Sequence, residues 1–461
     1  MSCALSPHDG GATLAVGGEN AAALVFDLRG AHLVAHRLTA AAGCFDRADA
    51  VPCVSYNLAA PHALYCASGR TVTAWDVRQL PVAGNARVVD GSDETAKRAS
   101  SPTRRSPLPA DEGTATRDAD DAADAAARAS RAASRRGALD VYAHNADEIN
   151  HFAIDRDGAC LYAADDACEV TAVDLGDARR QPSGGRLVRT LRRDGHESFV
   201  SCVALRAHKP REVVSGGLDA RVCVWDRGKA AAVRRWNVPE LIAAFDGASA
   251  ETTATATVST VSPAMNPPFV HCVAVWESAR DPARRDALRL AAAACGDGTV
   301  ALVDLDADAK RRKKPRRPAA KTSVGAKKRD GTHEADASPF GGAVPAVFLG
   351  RGAATGSEAH ANATSHVAFP GWGDGELVVS GGNDRTIKAW RWRDARAARV
   401  SHPGEPAAGE PAARKTKSVA HGKKVNWVAH AATRDACPGG GHVFVADTSE
   451  TVAVYDADAF A

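Results

Sequence analysis

The sequence predicts an all-β protein built from seven copies of one hairpin-centred unit, and three observations carry that prediction. "REVVSGGLDARVCVWD" (211 to 226) lies over "GELVVSGGNDRTIKAW" (375 to 390), with a Ser four residues before an Asp and a Trp six after it in both. Five weaker copies recur along the chain. Between certain copies lie stretches so poor in large apolar side chains that they cannot join a core.

"ATLAVGGENAAALVFD" (12 to 27) opens the series, and "ALYCASGRTVTAWD" (63 to 76) follows with a turn at Ser-Gly-Arg. "LYAADDACEVTAVD" (161 to 174) turns through acidic residues, and the 211 to 226 copy comes fourth. "LAAAACGDGTVALVD" (290 to 304), the 375 to 390 copy and "HVFVADTSETVAVYD" (442 to 456) complete the set. In each, an apolar or β-branched run, a tight turn carrying Gly, Asp or Asn, and a second alternating run make the pattern of a β-hairpin.

Upstream of the two strongest hairpins a His precedes a further strand, His196 before "FVSCVAL" and His360 before "SHVAF". His196, Ser215, Asp219 and Trp225 can form a buried hydrogen-bond chain, as can His360, Ser380, Asp384 and Trp390: Asp accepts from His, His meets the Ser hydroxyl, and that hydroxyl reaches the indole N–H. These residues resemble the WD40 repeat. The resemblance implies a seven-bladed WD40 β-propeller of four-stranded blades as a single domain over 1 to 461, with the quartets as structural ties.

Seven units of ~40 to 45 residues need about 300 residues. The excess falls in insertions at 82–137, 240–264, 308–338 and 395–415, expected to be mobile or disordered loops. In a WD40 blade, loops from outer to inner strand and from second to third strand line one face, the top. The other loops line the bottom, from which 82–137, 308–338 and 395–415 should hang. The first inner strand begins near Cys3 and the last third strand ends near Tyr455, so the last blade, between Lys423 and Asp456, is expected to have three strands.

Composition excludes other classes. The chain is 45% hydrophobic and 25% charged, a balance suited to a large buried core. Neither "MSCALSPHDGG" nor any later stretch approaches the ~18 to 20 apolar residues of a membrane span, so a soluble, non-secreted protein is expected. The eleven cysteines fall singly, with no Cys-x-x-Cys pair, which points to reduced core thiols rather than zinc or disulfides. His, Asp and Ser recurring with an indole argue against a hydrolase triad, and no phosphate-binding loop or metal spacing occurs. No catalytic residue, cofactor or metal is expected, and protein partners are.

The net charge of +3 conceals eleven Lys or Arg and no acid between Lys310 and Arg329, which leaves −8 for the rest. Lys310, Arg311, Arg312, Lys313, Lys314, Arg316, Arg317, Lys327, Lys328 and Arg329 resemble a two-cluster nuclear-import signal, which implies a nuclear and cytoplasmic protein. The other reading of this tract is weak, salt-dependent contact with phosphate backbones. Ser101 and Ser106, each before a proline, are candidate phosphorylation sites.

The second unit ends "WDVR". Trp75 and Asp76 follow from the repeat, but Arg78 does not, and Trp-Asp-x-Arg resembles the adaptor-binding motif of substrate receptors for cullin-4 ubiquitin ligases. "HNADEINHFAI", "SGGNDRTIKAW", "HGKKVNW" and "VADTSETVAVY" are similar to one WD40 subgroup placed with those receptors. The resemblance implies that Asp76 orients Arg78 toward the adaptor, the large subunit of the damage-specific DNA-binding complex. The other reading is an arginine solvated or paired locally with Asp76. Elsewhere the ending departs, with Gly228 in "WDRG" and Arg391 in "WRWR", so one motif copy is expected. Topology makes Asp147, Glu148, Arg221, Arg385, Lys423 and Lys424 the top-face candidates for a substrate. Three functions remain open: ligase substrate receptor, nuclear scaffold apart from any ligase, and nucleic-acid-associated factor.

Overall fold

The computed structural model describes residues 2–29, 34–39, 44–45, 49–60, 62–80, 138–176, 185–250, 266–276, 285–307, 344–351, 359–373, 375–393, 417–431, 442–449 and 451–460. These form seven antiparallel sheets arranged as the blades of a propeller. Blade 1 comprises β1 (Ser2–Leu5), β2 (Thr13–Gly17), β3 (Ala22–Asp27) and β4 (Val34–Thr39). Blade 2 comprises β5 (Val54–Tyr56), β6 (Ala63–Ser68), β7 (Thr71–Asp76) and β8 (Ala138–Tyr142). Blade 3 holds β9 (Ile149–Ile154), β10 (Cys160–Asp165), β11 (Val170–Asp174) and β12 (Arg186–Leu191). Blade 4 holds β13 (Val200–Leu205), β14 (Glu212–Gly217), β15 (Arg221–Asp226) and β16 (Ala231–Asn237). Blade 5 is β17 (Val270–Val275), β18 (Leu290–Cys295), β19 (Val300–Asp304) and β20 (Ala346–Leu349). Blade 6 is β21 (Thr364–Ala368), β22 (Leu377–Gly382), β23 (Thr386–Arg391) and β24 (Lys417–Ala420). Blade 7 is β25 (Val425–His430), β26 (His442–Asp447) and β27 (Val452–Asp456). Every hairpin read from the sequence is the second and third strand of a blade, and blade 7 has three strands among the described residues, as expected.

Neighbouring blades are stitched along the inner strands. The register of β13, β17, β21 and β25 slips where a residue bulges out, at Ser201, His271, Ser365 and Asn426. A bulge leaves main-chain groups unpaired and re-aims a side chain. Ser201 Oγ donates to the Val270 carbonyl of the next blade at 2.6 Å, Asn150 Nδ2 to the Val200 carbonyl at 3.1 Å, and Ser365 Oγ to the Val425 carbonyl. Between blades 1 and 2 the polarity reverses, and Ser2 Oγ accepts from the Val54 N–H at 2.9 Å. Blade 7 closes on blade 1 by packing: Cys3, Leu14, Ala431, Phe444 and Ala446 are buried together, flanked by Phe26, Trp427 and Val452.

Both quartets form as read. His196 Nδ1 lies 2.9 Å from Asp219 and its Nε2 2.7 Å from Ser215 Oγ, which accepts from Trp225 Nε1 at 2.7 Å. The matching distances around His360 are 3.0, 2.8 and 2.8 Å. Burial pushes the Asp219 and Asp384 carboxyls up, yet hydrogen bonds led by His196 and His360 hold both below the usual carboxylate range. Ser215 and Ser380 are wholly buried and bonded to an indole, so these are struts rather than nucleophiles.

Blades 3 and 7 solve the same problem differently. Gly217 and Gly382 pair with the first residue of their inner strands, and Asp165 and Asp447 hold that register in blades 3 and 7. A Cβ at Gly217 would stand 2.6 Å from His196 Nδ1, and one at Gly382 would collide with His360 in the same way. With the acid moved to this position, Asp165 accepts from Asn145 Nδ2 at 3.0 Å. Asp447 lies 2.8 Å from His421 Nε2, and the Tyr455 hydroxyl takes Nδ1 at 2.7 Å.

One expectation is corrected. The stretch 240–264 was expected to be a loop, but α1 (Val238–Ala250) occupies its first part. Asn237 Oδ1 caps the helix by accepting from the Glu240 N–H at 3.1 Å. Val238, Leu241 and Phe245 bury one stripe, with Phe245 edge-on to Phe348 at 5.5 Å. The alanine and threonine content hid this short apolar spacing. Residues 251–264 and the insertions 82–137, 308–338 and 395–415 lie outside the described residues, as do Ser101, Ser106 and the basic tract. The ten described cysteines are free thiols and eight are buried.

Two predictions concern this core. Ser380→Ala strands both the Trp390 N–H and the His360 ring, and thermal denaturation should show a loss of about 1–3 kcal/mol, the cost of orphaned buried polar groups. His366 stacks on Trp427 at 4.1 Å, and its Nδ1 accepts from the Val428 N–H at 3.3 Å. Burial, then His151 and His430, lower its pKa from 6.5 to about 3. Below 6.5 the unfolded chain therefore takes up a proton that the folded chain refuses. This contribution is complete above 6.5 and falls as pH drops, by up to about 1.4 kcal/mol per pH unit. His366→Gln should flatten the acid limb of stability between pH 6.5 and 4 by that amount.

Candidate protein-interaction surfaces

The bottom face is organised by one recurring turn. At the end of the third strand Asp27, Asp76, Asp174, Asp226, Asp304 and Asp456 each accept the N–H of the residue two further on, at 2.8 to 3.0 Å. The Asp side chain mimics a backbone turn and so fixes where the second-next residue points. That residue is Arg29, Arg78, Gly176, Gly228, Asp306 and Asp458 in turn.

Arg78 then folds back on its own turn. Its Nε donates to Asp76 Oδ1 at 2.9 Å and its terminal nitrogen to Oδ2 at 2.6 Å, while Gln79 Nε2 adds a contact at 3.3 Å. The Asp76 side chain is 5% exposed and that of Arg78 61%, so a buried carboxylate grips one edge of an exposed guanidinium. The hydrogen bond from Arg78 lowers the Asp76 pKa below the ordinary range. Of the three residues assigned to adaptor binding, Trp75 and Asp76 are buried, and Arg78 alone faces outward. Trp75 packs edge-on against Phe45 at 6.4 Å and supports the turn from beneath.

Trp-Asp-x-Arg itself stands once in the sequence, but a fork of similar geometry occurs without the Trp. In blade 1 "FDLR" builds the same fork, with Arg29 Nε on Asp27 Oδ1 and its terminal nitrogen on Oδ2, both at 2.9 Å. Phe26 in place of Trp concealed it, although Asp-x-Arg after a third strand was the available signal. Arg393 in blade six differs, pairing with Glu376 at 3.1 Å and lying over the Trp392 ring at 5.2 Å. Leu58, in the β5–β6 loop, is an exposed apolar side chain on the same face and blade as Arg78.

On the top face the charged candidates are scattered among local pairs. Arg221 is held by Glu197 at 2.6 Å, and Asp147 meets Arg70 at 3.5 Å. Glu148, Arg385, Lys423 and Lys424 are exposed, with Arg385 in the left-handed turn position at φ 64°. The sequence reading missed Phe199 and Phe269, which stand just before the inner strands of adjacent blades 4 and 5; Phe199 is 47% exposed. An aromatic directly ahead of an inner strand, where blades 2, 3, 6 and 7 carry Cys53, Glu148, Ala363 and Lys424, was the signal.

Among the described residues no group of three or more His, Cys, Asp or Glu side chains could hold a metal ion, and no helix is long and apolar enough to cross a membrane. A ring of tied blades presenting side chains on two loop faces defines a β-propeller scaffold for protein interaction. Residues 185–226 and 358–391 match the family model of the WD40 repeat, described as WD domain, G-beta repeat. Those stretches hold the two complete quartets, and the chain is a seven-bladed β-propeller with WD40 repeats at these two places.

Proposed function

We propose that this propeller is a substrate receptor of a cullin-4 RING ubiquitin ligase, docking the adaptor, the large subunit of the damage-specific DNA-binding complex, through its bottom face. The observation that carries the reading is the Arg78 fork, half engaged by a buried carboxylate and half turned to solvent. Two of its five N–H groups hold Asp76, and the remainder can donate across an interface in fixed directions. Arg29 on the adjacent blade offers a second fork, held by a carboxylate that is itself partly exposed. Further support is the similarity of "HGKKVNW" and "VADTSETVAVY" to WD repeat-containing protein 53, which is grouped with these receptors. The substrate would then approach the top face, where Phe199 and Phe269 supply an apolar anchor on blades 4 and 5 and Lys423 and Lys424 are exposed on blade 7.

The adaptor reading is tested with purified adaptor and folded variants. Arg78→Ala should weaken binding by ~2 kcal/mol, about 30-fold, the scale of an arginine hot spot. Its melting temperature should fall little, since the guanidinium lies largely in solvent and Asp76 keeps the residue-78 N–H and Gln79 as partners. Arg78→Lys should restore little, because a point charge does not reproduce a planar fork. Arg29→Ala should weaken binding further in combination, whereas Arg393→Ala should leave it unchanged. Equal affinity for wild type and the Arg29/Arg78 double variant would leave a scaffold apart from the ligase as the better account.

The tract from Lys310 to Arg329 is proposed to direct nuclear import. Loop closure entropy changes by only ~0.6 kcal/mol per doubling of loop length, so its removal should spare the fold. Deletion should move a fluorescent fusion out of the nucleus with the melting temperature nearly unchanged; unchanged nuclear enrichment would count against the assignment.

A further inference from the structure

In six blades the third strand is covered by a fourth, but β27 has no strand on its outer side among the described residues. Four of the six strands that form the outer edges protect themselves with cations, and a fifth, β20, lies against α1. β4, β12, β16 and β24 carry Arg37, Arg186, Arg189, Arg234, Arg235 and Lys417, charges that discourage edge-to-edge pairing. β27, "VAVYD", has no cation, no proline and no bulge, and its composition matches the covered strands "VTAVD" of β11 and "VALVD" of β19. Its side chains wait on both sides. Val452 sits half-buried with Phe26 and Leu28 at the blade 1 seam, and Ala453 and Tyr455 sit half-buried with Val419 on the blade 6 side. Val454 is 45% exposed.

Blade 3 shows the chemistry of a covering strand. There Asp174, the last residue of the third strand, pairs in register with Arg186, the first of the fourth, and their side chains meet at 3.0 Å. Asp456 is the blade 7 counterpart of Asp174; it accepts the Asp458 N–H and has no cation within ion-pair distance among the described residues. We propose that the outer edge of β27 is a docking site for an extended segment of a partner protein, added antiparallel as the fourth strand of blade 7, with a basic residue leading opposite Asp456 and apolar or β-branched residues behind it. A second copy of β27 does not fit, since antiparallel pairing would set Val452, not a cation, opposite Asp456. Main-chain bonds along the edge supply affinity and the leading cation sets the register.

The test uses the full chain and a labelled peptide with the sequence of Gly185–Arg192, the covering strand of blade 3. Saturable binding by fluorescence anisotropy is expected, with new protection of the β27 amides against hydrogen exchange. Methylating alternate peptide nitrogens should abolish binding. Asp456→Asn should weaken it by about 2- to 5-fold, the worth of an exposed ion pair. A peptide with Gln in place of its leading Arg should bind wild type and Asp456→Asn alike. Absence of saturable binding, binding indifferent to both changes, or protection in the free chain of the outward-facing β27 amides, those not bonded to β26, would overturn the proposal.

Discussion

Each inner strand has one edge with no partner in its own blade, and the propeller exists because that edge is satisfied by the next blade. A flat edge cannot do this, since consecutive blades diverge radially. The bulges in β13, β17, β21 and β25 turn one residue out of register, and Ser201 and Ser365 use the displacement to reach the neighbouring carbonyl. Small polar side chains suit the position because they donate over a short distance without filling the channel. The ring is thereby held by side chains at its centre and by apolar faces farther out, where Trp75, Trp225 and Trp390 are buried.

With the ring closed in this way, the outer parts of each blade are free to differ. The quartets of blades 4 and 6 tie the loop before the inner strand to the turn and the third strand, at the cost of a glycine where His must lie close. Blades 3 and 7 move the carboxylate into that glycine's place and dispense with the serine. Both arrangements leave a carboxylate buried yet bonded, which meets the demand that buried charge be compensated. The third-strand turn varies in another way: one Asp builds the same loop six times, and its second neighbour decides whether that loop carries a guanidinium, nothing or an acid, the feature on which the proposed function rests.

Periodicity within the sequence was enough to determine the all-β class, the seven hairpins and the two quartets. Those features depend on contacts within one repeat unit, 10 to 24 residues apart in the quartets, and a repeated unit leaves a repeated pattern. Tertiary structure decided the rest. That Asp165 and Asp447 stand in for a glycine depends on pairing register with another strand, which spacing from the turn does not reveal. The helix at Val238 forms because Phe348, a hundred residues on, accepts Phe245. Arg29 and Arg78 look unlike in sequence, Phe before one acid and Trp before the other. They become alike only when the shared turn of the third strand sets each arginine back onto its own carboxylate.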